Sequence, residues 1–406
     1  MDERRDEKEM TADGEPMIDR AQQRQRRRRR ARLRALRRLL VLALLVGLFW
    51  VCYTHWDTLA PDKLLARLQD SMNDKGGGFP VDISGANVHV LDRSQSYLVA
   101  LGDSYLTFYS AAGREMGRYS CTYSAPLLRT AGKYVLLAEQ GGRRLQLLTR
   151  TMSLCEVTAQ QKILSVSLCE NGRFAVLMQG ETGYAVRVTV YDRQGKAVYS
   201  RSRSRQATAV TLSPSGDRLA LLSVEAVNGV LDTVAETFDL SSSSPDALTA
   251  HTANDTLFYR AQLWSDRLIC VGEDGLTVLP TDGSAALTYP AGDRRLIGCS
   301  IGSRTVALVL RDYGDTGGGT VVVLDGSANV VSETPFSGDL RHISADGERF
   351  LLLTDSLVYA IRRDGVLCAK AGSDGQQAVL CGDTAVVLGL STLRAYTPEK
   401  SPADLT

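Results

Sequence analysis

Histidine is the side chain that most often serves in acid–base catalysis and metal binding, and this chain of 406 residues contains four. They are His55, His89, His251 and His342. None has a second histidine at the HxH or HxxxH spacing that directs two imidazoles to one metal ion. We predict His89 and His342 in strands, His251 in a loop and His55 at a membrane edge, and we assign none of them a catalytic or metal-binding role.

Other sequence motifs of catalysis are missing as well. The chain contains no GxSxG, P-loop or HExxH string. The segment Asp312–Gly319 is acidic and rich in glycine, but it lacks the alternating carboxylates and closing glutamate of a calcium loop, so we interpret it as a long hairpin turn. The sequence therefore predicts no catalytic residue, no metal site and no cofactor, and it leaves any cofactor-binding residue unassigned.

Basic residues form one short alternating run in the C-terminal part, Ser200–Arg205. Strand alternation would place Arg201, Arg203 and Arg205 on one face. Charged outer strands discourage pairing of one sheet edge with another, which is the structural interpretation. The alternative is contact with an anionic envelope polymer or an acidic partner.

The eight cysteines are widely spaced and form no CxxC pair or zinc-like cluster. Cys52 lies in an apolar segment; the others are Cys121, Cys155, Cys169, Cys270, Cys299, Cys368 and Cys381. Seven is an odd number, so at least one of them is unpaired in an oxidising compartment. Several fall inside apolar, strand-like runs, and we therefore predict that most are small buried hydrophobic residues.

Charge is distributed unevenly along the chain, although the net charge is only +1. Residues 1–38 contain 14 Lys/Arg and 8 Asp/Glu, a net charge of +6, whereas residues 39–406 contain 33 and 38, a net charge of −5. Basic character is thus confined to the N-terminal tail. A mildly acidic remainder argues against a nucleic-acid-binding domain, and the overall 44% hydrophobic content is ordinary for a globular protein.

A membrane anchor is predicted next to that tail. Ten arginines lie between Arg24 and Arg38, and the following run from Leu39 to Trp56 is uncharged over 18 residues, close to the roughly 20 needed to span a bilayer. The positive-inside bias places the arginines in the cytoplasm and the C-terminal part outside. The alternative is a cleaved signal peptide, but a tail of 38 residues and the lack of a small-x-small cleavage site favour an uncleaved signal anchor.

The flanking segments complete the predicted organisation. Residues 1–38 form a disordered cytoplasmic tail whose arginines contact anionic lipid headgroups. Residues 57–78 contain a short amphipathic helix, with an apolar stripe between Pro61 and Met72, and a glycine linker. Residues 79–400 form the folded domain and residues 401–406 a short tail.

The folded domain is predicted to be all-β because short apolar runs recur between Gly, Asp and Asn turn signals every eight to twelve residues. A longer repeat has the sequence strand, polar glycine turn, strand, and it is clearest at 164–178, 208–222 and 340–353. A third and fourth strand follow, as at 188–199 and 357–368. A period of roughly 35 to 45 residues indicates the four-stranded blades of a β-propeller.

Applying this repeat to the chain predicts eight blades, with seven as the alternative. Their approximate bounds are 85–120, 121–160, 161–205, 206–250, 255–293, 294–337, 338–373 and 374–400. The last copy has three strands, and the segment Phe79–Ile83 supplies the fourth by pairing with the C-terminal end. Such pairing closes the ring and leaves short, protected edges.

In this combination the chain resembles a bacterial family known as a domain of unknown function. The resemblance includes the basic start, the single membrane helix, the glycine joint, the Gly-Phe-Pro-Val sequence at Gly78–Val81 and repeats similar to WD40-like and quinoprotein-like propellers. It implies the fold and the location, and it supplies no catalytic residues. The blades lack the Trp-Asp and Gly-His pairs of true WD40 repeats.

Besides a structural subunit of an envelope assembly machine, two kinds of function remain open from the sequence. The first is an extracytoplasmic binding, scaffolding or sensing module of the cell envelope, anchored in the cell membrane, with a protein or glycan partner and no nucleic acid. The alternative is a propeller enzyme, quinoprotein-like or hydrolytic, with a site in the central mouth. It would need several carboxylates, histidines or arginines gathered near the axis.

Overall fold

The computed structural model describes residues 78–242, 246–362 and 365–401. All regular secondary structure in these ranges is β-strand. The predicted cytoplasmic tail, the membrane helix at 39–56 and the amphipathic helix that follows lie outside the described residues. Within the ranges given above, no helix has the length and apolar character needed to cross a bilayer.

Thirty-two strands are present in the described residues, and apart from β1 they fall into successive groups. The first is β1 (Val81–Asp82). Blade 1 contains β2 (Val90–Ser94), β3 (Tyr97–Leu101), β4 (Tyr105–Tyr109) and β5 (Glu115–Ser120). Blade 2 contains β6 (Pro126–Ala131), β7 (Tyr134–Glu139), β8 (Arg144–Leu148) and β9 (Ser153–Thr158). Blade 3 contains β10 (Ile163–Leu168), β11 (Phe174–Gln179), β12 (Val186–Tyr191) and β13 (Ala197–Arg203).

The remaining groups continue the same pattern. Blade 4 contains β14 (Gln206–Leu212), β15 (Arg218–Val227), β16 (Val230–Asp239) and β17 (Thr249–Ala253). Blade 5 contains β18 (Phe258–Leu263), β19 (Arg267–Gly272), β20 (Gly275–Pro280) and β21 (Leu287–Pro290). Blade 6 contains β22 (Arg294–Ile301), β23 (Thr305–Asp312), β24 (Gly319–Asp325) and β25 (Val330–Phe336). Blade 7 contains β26 (Leu340–Asp346), β27 (Arg349–Thr354), β28 (Leu357–Arg362) and β29 (Gly365–Lys370), and blade 8 contains β30 (Gln377–Cys381), β31 (Thr384–Leu388) and β32 (Thr392–Tyr396).

Each blade is an antiparallel sheet of four strands, and blade 8 obtains its fourth strand from the N-terminal end. Strand β1 pairs with β32 through Val81 opposite Leu393 and Asp82 opposite Thr392. The predicted closure of the ring is therefore confirmed, and so is the count of eight blades. Seven of the eight predicted blades begin and end between observed sheets, whereas the predicted end of blade 4 at 250 falls inside β17 (Thr249–Ala253).

Hydrophobic burial between neighbouring blades holds the domain together. In β11 the five residues from Phe174 to Met178 are buried, as expected for a strand covered on both faces. Phe174 packs in one cluster with Leu136 and Leu145 of blade 2. Burying each such side chain stabilises the fold by about 1.5–3 kcal/mol, so each blade depends on its neighbours.

The turn between the first two strands of a blade often requires a left-handed residue. Gly172, Gly216 and Gly347 occupy this position in blades 3, 4 and 7, with φ of 85°, 68° and 65°. This conformation is accessible to glycine and strained for most other residues. The positive-φ glycine predicted in the repeat is confirmed in these three blades.

Strand direction defines two faces of the propeller. We call the first strand of each blade the inner strand; in blade 8 it is β30. Because consecutive strands run in opposite directions, the turns between second and third strands lie at the same end as the connections between blades. We call this end the top face. The other two turns of each blade lie on the bottom face.

Candidate binding site

A cavity of about 670 Å³ opens on the top face where the ring closes. Its walls come from connections and turns of blades 8, 1 and 2, and this volume is in the range of ordinary ligand pockets. Its lining residues are Asn87, Val88, His89, Asp103, Tyr123, Ser124, Pro126, Gln376 and Leu390. Polar and apolar groups are mixed in this wall.

The segment that leads from β1 to β2 is held closely against blade 1. A Cβ atom on Gly102 would lie 2.1 Å from the carbonyl oxygen of Ala86, so glycine is required for this approach. Asn87 adopts a φ of 43°, a left-handed conformation that asparagine tolerates better than most residues. The His89 amide then donates to the Leu101 carbonyl at 2.9 Å. This wall of the cavity is therefore preformed.

His89 and Asp103 present polar atoms on that wall. The Asn87 Nδ2 atom donates to Asp103 Oδ2 at 3.0 Å, and His89 Nδ1 lies 3.7 Å from Asp103 Oδ1. Both side chains remain substantially exposed, at 42% for His89 and 62% for Asp103. They can accept and donate hydrogen bonds to a ligand. The predicted strand position of His89 is wrong by one residue, since β2 begins at Val90.

The opposite wall contains a second polar group of residues around Tyr123. The Arg144 guanidinium lies 5.0 Å from the centre of the Tyr123 ring, a distance typical of a cation–π contact. Arg144 Nε also donates to Glu139 at 3.2 Å, and this hydrogen bond holds the pKa of Glu139 below its ordinary value. Burial raises the pKa of Tyr123. At neutral pH this wall therefore presents a neutral phenol beside an ion pair.

Exposed apolar side chains are concentrated on the same face. Leu390, in the turn between β31 and β32, is 74% exposed, and Tyr313, in the turn between β23 and β24, is 73% exposed. Other exposed large side chains in top-face turns or at the starts of inner strands are Tyr184, Val227, Val230, Leu231, Leu257 and Tyr259. Such a concentration marks a surface suited to a partner.

One hairpin of blade 4 extends beyond its neighbours. Strands β15 and β16 have ten residues each, against six in β11, an excess of about 13 Å at roughly 3.3 Å per residue. Its tip is an Asn-Gly turn in which Asn228 and Gly229 have φ of 53° and 87°, the signature of a type I′ hairpin. Asp232 anchors its base by accepting from the Asp255 amide at 2.9 Å.

Polar side chains of the inner strands mostly join one blade to the next. Ser167 Oγ accepts from the Leu212 amide at 3.0 Å, and Thr211 Oγ1 accepts from the Leu263 amide at 3.1 Å. His342 Nδ1 lies within 3.3 Å of the backbone N and O of Ala378, which also accepts from Ser344. His342 lies in β26, as predicted. In this geometry His342 and Ser344 both contact backbone and do not form a base–nucleophile pair.

A one-residue bulge recurs in the inner strands of blades 3 to 7. In each of these strands the register shifts so that one residue is left without a partner in β11, β15, β19, β23 or β27. These residues are Leu164, Thr208, Tyr259, Ile297 and Arg341. Bulges redirect side chains and are frequent beside functional sites. The sequence repeat did not reveal them.

The basic run after blade 3 contacts blade 4. Arg205 Nε donates to Glu225 at 2.8 Å, at the base of the extended hairpin. Arg203 lies over the Phe238 ring at 4.5 Å, and its Nε atom is 3.8 Å from Glu236. Two of the three arginines thus join adjacent blades, and the protection of a sheet edge by charge stays a prediction. Contact with an anionic polymer or acidic partner stays a prediction.

The other candidates from the sequence have structural positions too. The segment Asp312–Gly319 forms the turn between β23 and β24, so the hairpin interpretation is confirmed. His251 lies in outer strand β17, so the predicted loop is wrong. Its sequence, Thr-Ala-His-Thr-Ala, lacks the apolar alternation of a covered strand because no residue of β17 is buried. His55 lies outside the described residues.

Metal ligands and disulfides were also sought in the described residues. Of the seven cysteines there, five are buried, and Cys121, Cys155, Cys169, Cys270, Cys299 and Cys381 have free thiols. This agrees with their interpretation as small hydrophobic residues; Cys52 lies outside the ranges described. In the same ranges, no three His, Cys, Asp or Glu side chains are grouped to hold a metal ion.

These features define a class of protein: an eight-bladed β-propeller with a preformed cavity and exposed apolar side chains on its top face. The chain belongs to the family of unknown function DUF5711, whose profile matches residues 65–377. The resemblance to a family of unknown function is thereby confirmed, and its membrane part stays a prediction. A search of curated proteins found no match to the chain.

Solved structures with a similar chain course share little sequence with this protein. BamB from Moraxella catarrhalis is 10% identical, with 79% of this chain and 97% of that chain covered and a TM-score of 0.49. Apo AztD from Citrobacter koseri is 13% identical, with 71% and 90% covered and a TM-score of 0.44. Hydrazine synthase from Kuenenia stuttgartiensis is 12% identical, with 80% and 99% covered and a TM-score of 0.43. The strand pairing of the chain itself establishes the propeller.

Proposed function

We propose that this protein is a binding module of the cell envelope, anchored in the cell membrane by one helix, which docks a protein or glycan partner on the top face of its propeller. The observation that carries this proposal is the exposed apolar set of the top face, led by Leu390 and Tyr313, together with a preformed polar cavity on that face that Leu390 lines. Aromatic and aliphatic anchors beside polar groups are the usual composition of a binding surface.

The energetics favour docking at this face. Burying one side chain such as Leu390 contributes about 1.5–3 kcal/mol. A tyrosine such as Tyr313 offers a large rigid ring and a hydroxyl at a low entropy cost. His89 and Asp103 supply hydrogen-bonding groups that select the partner's orientation. A few such anchors suffice for a specific complex because most binding energy comes from a minority of contacts.

Sequence supports the location. Arginines between Arg24 and Arg38 precede the uncharged run Leu39–Trp56, and the positive-inside bias orients the propeller away from the cytoplasm. A tethered module of this kind searches for its partner along the membrane surface.

Cysteine labelling in intact cells tests the location. Leu390→Cys places a thiol at a 74% exposed site of the propeller, and Thr11→Cys places one in the N-terminal tail. A membrane-impermeant maleimide should label Leu390→Cys in intact cells and Thr11→Cys only after lysis. Labelling of Thr11→Cys alone in intact cells would reverse the proposed orientation. Wild-type protein serves as the background control for native cysteines.

A further inference from the structure

The inner strands carry an excess of positive charge in an otherwise mildly acidic domain. Six arginines and two aspartates are their charged residues in the described part of the chain, a net charge of +4. They are Arg93, Arg129, Arg260, Arg294, Arg295 and Arg341, with Asp92 and Asp346. Residues 39–406 together have a net charge of −5. The propeller therefore concentrates positive charge on its inner strands.

The two aspartates offset part of this charge. Asp346 accepts from both Arg93 and Arg349, so its carboxylate is fully engaged at the bottom end of the channel. Asp92 accepts from Thr130 at 3.0 Å and from the Arg93 amide at 2.7 Å. Burial nevertheless raises the pKa of Asp92. Desolvation thus disfavours the negative charge at this position.

Most of the inner-strand arginines lack a carboxylate partner. Five of the six form no ion pair within the residues that the structure describes: Arg129, Arg260, Arg294, Arg295 and Arg341. Arg129 Nη1 donates to its neighbour's carbonyl, Leu128 O, at 2.8 Å, and Arg260 Nη1 donates to Cys299 O at 3.2 Å. A guanidinium has five N–H donors, so each retains a free edge for a ligand.

Arg129 of blade 2 and Arg260 of blade 5 influence each other electrostatically, although their blades are not adjacent. Burial lowers the pKa of Arg129, the Asp92 carboxylate raises it, and the positive charge of Arg260 lowers it. Three blades apart in a ring of eight, they can interact at close range only across the central channel. Both residues are exposed to solvent, as expected for side chains that face a water-filled channel. Their mutual repulsion is relieved if an anion lies between them.

We propose that the central channel binds a small oxyanion, carboxylate or phosphate, between Arg129 and Arg260. Planar guanidinium groups match both oxyanions with paired hydrogen bonds. Burial lowers the pKa of His342 in the inner strand of blade 7, and the positive charge of Arg260 lowers it further. His342 is therefore neutral at pH 7 and offers a hydrogen bond without adding charge. The Arg93–Asp346 bridge near the bottom end leaves the top face as the route of entry. This site is separate from the docking of a partner on the turns.

Calorimetric titration of the full-length protein in detergent tests the site. Inorganic pyrophosphate and citrate, at constant ionic strength, represent the phosphate and carboxylate sources. We expect at least one probe to bind saturably, and Arg129→Gln and Arg260→Gln to weaken its binding by at least about tenfold each. Comparison of the affinities for pyrophosphate and citrate shows whether the site prefers a phosphate or a carboxylate.

The matched control is Arg304→Gln, which removes the same charge from an 83% exposed bottom-face side chain. It should leave binding unchanged. Arg260→Gln disturbs one hydrogen bond to a carbonyl and should retain the wild-type melting curve, which separates loss of binding from loss of fold. Failure of both probes to bind, or equal weakening by Arg304→Gln, would overturn the proposal. Labelling of Leu390→Cys in intact cells does not depend on these arginines, so the two proposals fail separately.

Discussion

Burial controls the reactivity of the cysteine thiols. It raises the pKa of Cys169 to about 11 and raises that of Cys270 further, in a site that excludes solvent. Because the thiolate is the reactive form, native full-length protein in detergent should react with DTNB at pH 8 slowly and only at the half-buried Cys155 and Cys299. After denaturation without reductant, all eight cysteines of the sequence should react. A lower number would show that disulfides are present.

Asp92 makes the proposed anion site sensitive to pH. Its pKa in the folded protein is raised, so the carboxyl gains a proton at a higher pH than an exposed aspartate does. As pH falls through that pKa, a negative charge beside Arg129 and Arg93 disappears, and anion affinity should rise. Asp92→Asn should raise the affinity at neutral pH by about threefold to tenfold.

Sulfate is the suitable probe for this prediction because its charge is constant over the acid-to-neutral range. Titrations at several pH values should show binding that strengthens on acidification in wild type and a flatter profile in Asp92→Asn. His342, whose pKa is lowered, titrates further towards acid and accounts for the residual slope. A profile identical in both proteins would exclude Asp92 as the titrating group.

Single residues were predicted from sequence with uneven success. The burial of most cysteines followed from the apolar runs around them, and so did the strand position of His342. His251 was misplaced because an outer strand needs no apolar alternation. Arg129 and Arg260 could not be paired, since 131 residues separate them and only the closed ring places both on the channel.

Two glycines in the turns between the first two strands of a blade allow the cost of backbone strain to be measured apart from the cost of a steric conflict. At Gly347 an added Cβ would meet no atom nearer than 4.0 Å, so Gly347→Ala should cost about 1–2 kcal/mol for the positive φ alone. At Gly172 the same atom would lie 2.9 Å from the Tyr134 ring, so Gly172→Ala should lower the free energy of unfolding by more. Urea unfolding of both variants measures the difference. Equal losses would contradict the contact with Tyr134.

The elements themselves were largely readable from the sequence. The pattern of a strand, a glycine turn and a second strand predicted the eight blades, because each turn needs a particular residue type. The bulges at Tyr259 and Arg341 were not predictable, since one extra residue does not alter the apolar pattern enough to be seen. The additional length of β15 and β16 was also missed, although Asn228-Gly229 is a strong hairpin signal.

Closure of the ring depends on a short N-terminal segment. Ile83 is 4% exposed and packs with Leu91, Val386 and Leu388, and its amide donates to Ser391 O at 2.8 Å. Ile83→Ala should therefore lower the free energy of unfolding by about 2–4 kcal/mol. The control Val198→Ala, at an exposed outer-strand position, should change it by less than about 0.5 kcal/mol. Similar values for both in urea unfolding would contradict closure through this segment.

The complete molecule explains why its binding site was hidden in the sequence. Cavity residues come from both ends of the domain, with His89 near its start and Leu390 near its end, and no local motif joins them. The fold was predictable because the same pattern of strands and turns recurs in each of the eight blades. The residues of a site at the closure point do not recur along the sequence, because they lie in turns that differ from blade to blade.

Site-specific photocrosslinking in intact cells tests the central claim most directly. Benzoylphenylalanine at Leu390, Tyr313 or Leu231 probes the top face, and the same residue at Met152 or Leu287, both exposed in or beside bottom-face turns, provides matched controls. We expect discrete crosslinked partners from the top-face positions and none from the controls. Crosslinks from the bottom face alone, or none from any position, would contradict a binding module that docks its partner on the top face.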